Sequence, residues 1–120
     1  HTDAPNHYHK DGQGIDQVNI KRYMGTCQVI TAKSSSKEGR VRSSDLATSL
    51  GQGIRRVLIR TNSFKNPNDW NDDFWSLDPS LISDLAALGV ELIGIDTPSI
   101  DPAGSKGLEA HAVVEQRQSS

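Results

Sequence analysis

The chain has 120 residues, 34% of them apolar and 5% aromatic, with a mean hydropathy of −0.55 and a net charge of −2. That length suffices for one core and no more, and the low apolar content predicts a thin core that leans on surfaces outside these residues. A pI near 6.1 without a basic stripe argues against nucleic-acid binding, no apolar run reaches the roughly 20 residues that cross a bilayer, and the single Cys27 fits a reducing compartment, so a soluble cytoplasmic protein is expected.

Residues 1–14 hold three of the four histidines together with Pro5, Gly12 and Gly14, the composition of a loop that places side chains. Cys27 to Thr31 reads as a strand. Lys33 to Arg42, with its serine run and charges, reads as a surface loop. Ser44 suits the N-cap of a short helix carrying Leu46, Ala47 and Leu50, ended by Gly51 or Gly53. Val57-Leu58-Ile59 is continuously apolar, which predicts a strand covered on both faces.

The long polar stretch from Thr61 to Leu77 carries Phe64, Trp70, Phe74 and Trp75, a pattern of functional or packed loops. Asp78 and Pro79 then start a helix as N-cap and first residue, Leu81, Ile82, Leu85 and Leu88 share its apolar face, and Gly89 stops it. A second buried strand, Val90 to Ile95, runs into Asp96, where functional groups collect in α/β sheets. His111 lies near the start of a further helix, with Glu115 one turn on. Strands alternating with helices predict an α/β fold.

Chemistry concentrates in the opening run. His1-x-Asp3 directs an imidazole and a carboxylate to one face of an extended segment, and both suit zinc or manganese. On spacing alone, a solvated polar terminus accounts for the pair about as well. His7 follows Pro5, which fixes the backbone direction, and an imidazole with an ordinary pKa of about 6.5 suits general acid or base work. His9 has no supporting spacing and reads as a surface residue, while His111 with Glu115 is a generic metal-pair spacing.

Together these pieces resemble the bacterial kynurenine formamidase branch of the cyclase-like metal-dependent hydrolases. The stretch His1-Thr2-Asp3-Ala4-Pro5-Asn6-His7 matches the last seven positions of that branch's signature, His-x-Gly-Thr-His-x-Asp-x-Pro-x-His. A second block, Gly94 to Pro102 followed by Ser105-Lys106 and His111, is similar to its other characteristic region. The resemblance implies a cyclase-like swivelling β/β/α fold, with a mixed sheet or small barrel flanked by helices, and homo-oligomers such as dimers. It implies two zinc ions, or other divalent ions such as manganese, with His1 and Asp3 as ligands, Asp3 bridging, His111 on the second ion, and His7 as the acid/base residue. The substrate would be a small aromatic formamide, N-formyl-L-kynurenine, with an apolar wall supplied by Phe64, Trp70, Phe74 or Trp75 unless these pack the loop or a subunit contact. A related amide or lactam hydrolase such as an isatin hydrolase, or a noncatalytic metal-binding domain, are the alternatives. The family's first histidine, four positions before His1, and its last glutamate, twelve after His111, lie outside residues 1–120, so these are expected to form one domain incomplete at both ends that binds metal poorly alone.

Overall fold

The computed structural model describes residues 1–118. Five strands and two α-helices follow in order: β1 (Cys27–Thr31), β2 (Arg40–Val41), β3 (Arg56–Arg60), β4 (Ser76–Leu77), α1 (Pro79–Ala87), β5 (Leu92–Ile95) and α2 (Glu109–Gln118), with short 3-10 turns between. β1, β3 and β5 form one parallel sheet in that order, and β2 pairs with β4 in a second, also parallel. Among the described residues no barrel closes.

The three-stranded sheet is one-sided. Ile30, Val57 and Ile59 are fully buried beneath α1, whose Leu81, Ile82 and Leu85 complete the core with Val41, Leu77 and Ala110. On the opposite face Val29 is 59% and Leu58 44% exposed, which corrects the expectation that Val57-Leu58-Ile59 is covered on both sides. The register explains how the run remains a strand: Val29, Leu58 and Gly94 lie side by side across the sheet, and Leu58 occupies the space that a Gly94 side chain would need. Apolar continuity records that this face can be buried, not that these residues bury it.

Helix α1 follows the sequence closely. Asp78 caps it by accepting from the Ser80 amide at 2.9 Å, and Pro79 fills the first position, where no amide is needed. Leu88, expected on the buried face, is 64% exposed because the helix ends at Ala87 and Gly89 turns with a φ of +93°.

Two local expectations give way to long-range pairing. The helix expected after Ser44 is a single 3-10 turn, Ser43–Asp45, because the next amides are drawn to β1: Ala47 donates to the Thr31 carbonyl at 2.8 Å, and Leu46 bridges antiparallel to Ala32. So short a helix has little stability of its own to resist this. The run Lys33 to Arg42, expected on the surface, contains β2, and Val41 is wholly buried.

Asp45 holds this corner as a buried carboxylate, accepting from Ser34 Oγ at 2.6 Å and the Arg42 amide at 2.8 Å. The Ser34 hydrogen bond, helped by Arg42, outweighs the opposing effect of burial and keeps its pKa below the ordinary value. A lowered folded-state pKa stabilises the fold above about pH 4, and that contribution fades as pH falls through the folded value. In urea denaturation, Asp45→Asn is therefore expected to cost about 1–3 kcal/mol at pH 7, with the gap to the unsubstituted protein narrowing near pH 3. A gap independent of pH would contradict this role.

Candidate metal centre

The opening run is shaped by its own backbone. Ala4 is extended, Pro5–His7 form a 3-10 turn closed by the His7 amide on the Ala4 carbonyl at 2.9 Å, and the Asn6 amide donates to the Gln13 carbonyl at 3.0 Å. Gly12 is required there, since a side chain would lie 2.5 Å from the Pro5 carbonyl carbon. The turn carries His7 back toward Asp3, four residues earlier, with 3.9 Å between His7 Nε2 and Asp3 Oδ1.

The three histidines expected at the site all face Asp3, but only His7 and His111 join it in a cluster of possible ligands, so His1, expected as a ligand, stands outside that cluster and His7, expected as the acid/base residue, stands inside it. His1 Nε2 lies 3.5 Å from Asp3 Oδ1, and His111 Nε2, from the start of α2, lies 3.4 Å from Oδ2. The carboxylate thus presents one oxygen to His1 and His7 and the other to His111. Asp3, His7 and His111 each offer a ligand atom within 4.8 Å of the others. The His7 and His111 rings are 5.2 Å apart.

These spacings test whether a metal fits. They exceed the 2.7–3.2 Å typical of N–H···O hydrogen bonds, whereas ligands bound at about 2.0 Å to one tetrahedral ion are about 3.3 Å apart. Two imidazoles and a carboxylate also match the borderline character of zinc. The donor set therefore fits a divalent ion.

His111 is the most firmly held member. Its ring is buried, and Nδ1 lies 2.6 Å from Asp101 Oδ2. Asp101, completely buried, accepts from the Ala110 and His111 amides at 2.9 and 3.0 Å and from Arg40 Nη2 at 2.8 Å. Burial raises the Asp101 pKa, but these hydrogen bonds together hold it below the ordinary value. Asp101 and Arg40 were not singled out in the sequence. The available signal was that Asp101-Pro102 belongs to the second family-like block; Arg40 is 61 residues away in a run whose composition is that of a loop.

Other expectations resolve differently. Glu115 faces His9, with 3.6 Å between Oε1 and Nε2, and the three-residue cluster forms without it. Asp96 staples the end of β3: Thr61 Oγ1 donates to it at 2.6 Å and the Thr61 and Asn62 amides at 2.9–3.1 Å. Burial opposes ionisation of Asp96, yet these donors keep its pKa lowered. Phe64, Trp70 and Phe74 pack edge-on against one another with centroids 6.0–6.1 Å apart, which is loop packing. Two cavities, of about 350 and 630 Å3, border Asp3 instead with Tyr8, Arg22 and Tyr23, and the larger adds Leu58, Ile93 and Ile95.

A parallel α/β sheet flanked by helices, with an N-terminal turn and the start of α2 bringing Asp3, His7 and His111 together, has counterparts among known proteins. The model of the family described as putative cyclase matches residues 1–102, and the chain belongs to that family. Among its relatives, the kynurenine formamidase of Delftia acidovorans (strain DSM 14801 / SPH-1) is 41% identical over 117 residues, 98% of this chain and 54% of the relative. That of Maricaulis maris (strain MCS10) is 38% identical over 116 residues, 97% of this chain and 54% of the relative. The chain thus spans about half the length of the curated relatives it matches. A solved structure described as a potential metal-dependent hydrolase with cyclase activity shares the fold, with a TM-score of 0.77 at 21% identity over 96% of this chain and 55% of that one.

The Asp96 geometry yields a direct test. In Asp96→Ala the Thr61 and Asn62 amides should exchange with deuterium on the order of tenfold faster, the loss of hydrogen bonds to a charged acceptor. Unchanged exchange would contradict the stapling role.

Proposed function

We propose that this chain carries the catalytic centre of a metal-dependent amidohydrolase that converts N-formyl-L-kynurenine to L-kynurenine and formate, in tryptophan breakdown. The observation that carries this reading is the convergence of His1, Asp3 and His7 with His111, which lies 108 residues beyond Asp3, around a single carboxylate. The two formamidase relatives support the substrate, and the spacing of the donors supports the metal. We assign His1, Asp3 and His111 as the residues that would hold the metal, zinc first and manganese next, and reserve His7, which lies in the same cluster, for proton transfer. Residues 1–120 then belong to one domain of this enzyme. The open sheet face at Val29 and Leu58 supports further burial in the complete protein, in keeping with a homodimer. No described helix is long and apolar enough to cross a membrane, and the free Cys27 supports a cytoplasmic location.

When bound, a divalent ion polarises the formyl carbonyl and lowers the pKa of water toward about 7. His7 supplies the proton movements. Its side chain is half-exposed, with Nε2 3.9 Å from Asp3 Oδ1. The His7 imidazole takes a proton from the attacking water as the new C–O bond forms. It then returns that proton to the aryl nitrogen as the C–N bond breaks, because an anilide is a poor leaving group unless protonated. The free aromatic amine and formic acid result, and the acid releases its proton to solvent as formate. The larger cavity suits an aromatic amino acid in volume, with Tyr8, Tyr23 and Leu58 against the ring and Arg22 offering its guanidinium to a carboxylate.

In the complete protein, His7→Ala is expected to keep its zinc content and lose roughly 100- to 10,000-fold in kcat on N-formylkynurenine. Parallel loss of metal and activity would make His7 a ligand. Turnover of isatin in preference to N-formylkynurenine would replace the substrate assignment.

A further inference from the structure

We propose that Asp101 is a positioning residue for the metal centre: its carboxylate, locked by Arg40 and two helix amides, holds a proton on His111 Nδ1, so that Nε2 is the ring nitrogen left to bind a cation opposite Asp3. This rests on the reading of Asp3 and His111 as metal-binding residues and adds a group that touches neither metal nor substrate.

Hydrogen-bond bookkeeping around the carboxylate leaves little freedom. Oδ1 accepts from Arg40 Nη2 at 2.8 Å and the Ala110 amide at 2.9 Å, while Oδ2 accepts from the His111 amide at 3.0 Å and lies 2.6 Å from His111 Nδ1. An ionised carboxylate only accepts, so Nδ1 must be the donor. With Nδ1 committed as donor to Asp101, Nε2 is the ring nitrogen left for a cation; it faces Asp3 Oδ2 at 3.4 Å, and any proton it carries there is the one a cation would displace. The same contacts fix the ring, since the carboxylate that orients it also caps the first amides of α2 and is tied to β2 through Arg40. Arg40 is shared with Glu109 at 3.0 Å, so its guanidinium is held from a second side.

An amide cannot substitute. In Asp101→Asn the NH2 group replaces either Oδ1, where it meets the Arg40 and Ala110 donors, or Oδ2, where it meets the His111 amide and turns Nδ1 into an acceptor. The latter places the ring proton on Nε2 and blocks the metal-binding lone pair.

Nitrogen-15 NMR of the histidine rings in the complete, metal-free protein reads this directly. The expected result is a His111 Nδ1 that keeps its proton whether or not Nε2 also carries one. Asp101→Asn is expected to show loss of the Nδ1 proton or a tautomer mixture, with zinc affinity weakened roughly 10- to 100-fold. A bare Nδ1 or tautomer exchange in the unsubstituted protein would overturn the proposal, and this measurement needs no variant to fold. A folded Asp101→Asn with unchanged zinc affinity would also overturn it. Failure of the underlying metal reading is separately visible, as unsubstituted protein that binds no zinc while His111 keeps its Nδ1 proton.

Discussion

The buried Asp101 carboxylate is the interaction on which the site depends. Removing a charge from water costs several kcal/mol, and it is tolerated only where donors surround it. Arg40, the Ala110 and His111 amides and the His111 ring meet that requirement, and among the described residues no buried side-chain polar atom lacks a partner. In doing so they join β2, the segment leading out of β5, and α2 at one point. His111 is thereby fixed by contacts within the described residues alone.

The opening run is held differently. Its 3-10 turn closes on local backbone hydrogen bonds, and the Asp3 carboxylate meets His111 at 3.4 Å rather than in a tight hydrogen bond. One half of the centre is therefore anchored in the core and the other is a surface turn brought against it. A cation between them would add to the contacts of His111 with Asp3 and His7 and of His9 with Glu115, and such binding stabilises whichever state forms the site. The one-sided sheet follows the same division: α1 covers one face, while Val29 and Leu58 remain exposed on the other.

Much of this was legible in the sequence, for reasons of range. Helix α1 was readable because its cap, its proline and its apolar spacing all lie within a dozen residues. The proximity of His1, Asp3 and His7 follows from their place in one compact run, and that of His111, 108 residues from Asp3, was suggested only by the second motif block before it. Asp101 was not legible, since the ten positions from it to His111 are mostly an irregular segment without a periodic pattern to bring the two together, and Arg40 was not, since it meets Asp101 across 61 residues. The turn at Ser43–Asp45 failed for the same reason, its helix-like start being overridden by pairing with β1. The loop aromatics show a further limit: Phe64, Trp70 and Phe74 were as well suited to line a site as to pack a loop, and only their mutual edge-on contacts distinguish the two.

The central claim is that Asp3 joins the two halves of the centre through a metal. Anomalous diffraction at the zinc edge, from crystals of the complete protein grown with zinc, tests it most directly. An anomalous peak is expected at about 2.0–2.2 Å from both an Asp3 carboxylate oxygen and His111 Nε2. Zinc bound elsewhere, with Asp3 and His111 still 3.4 Å apart and no peak between them, would contradict it.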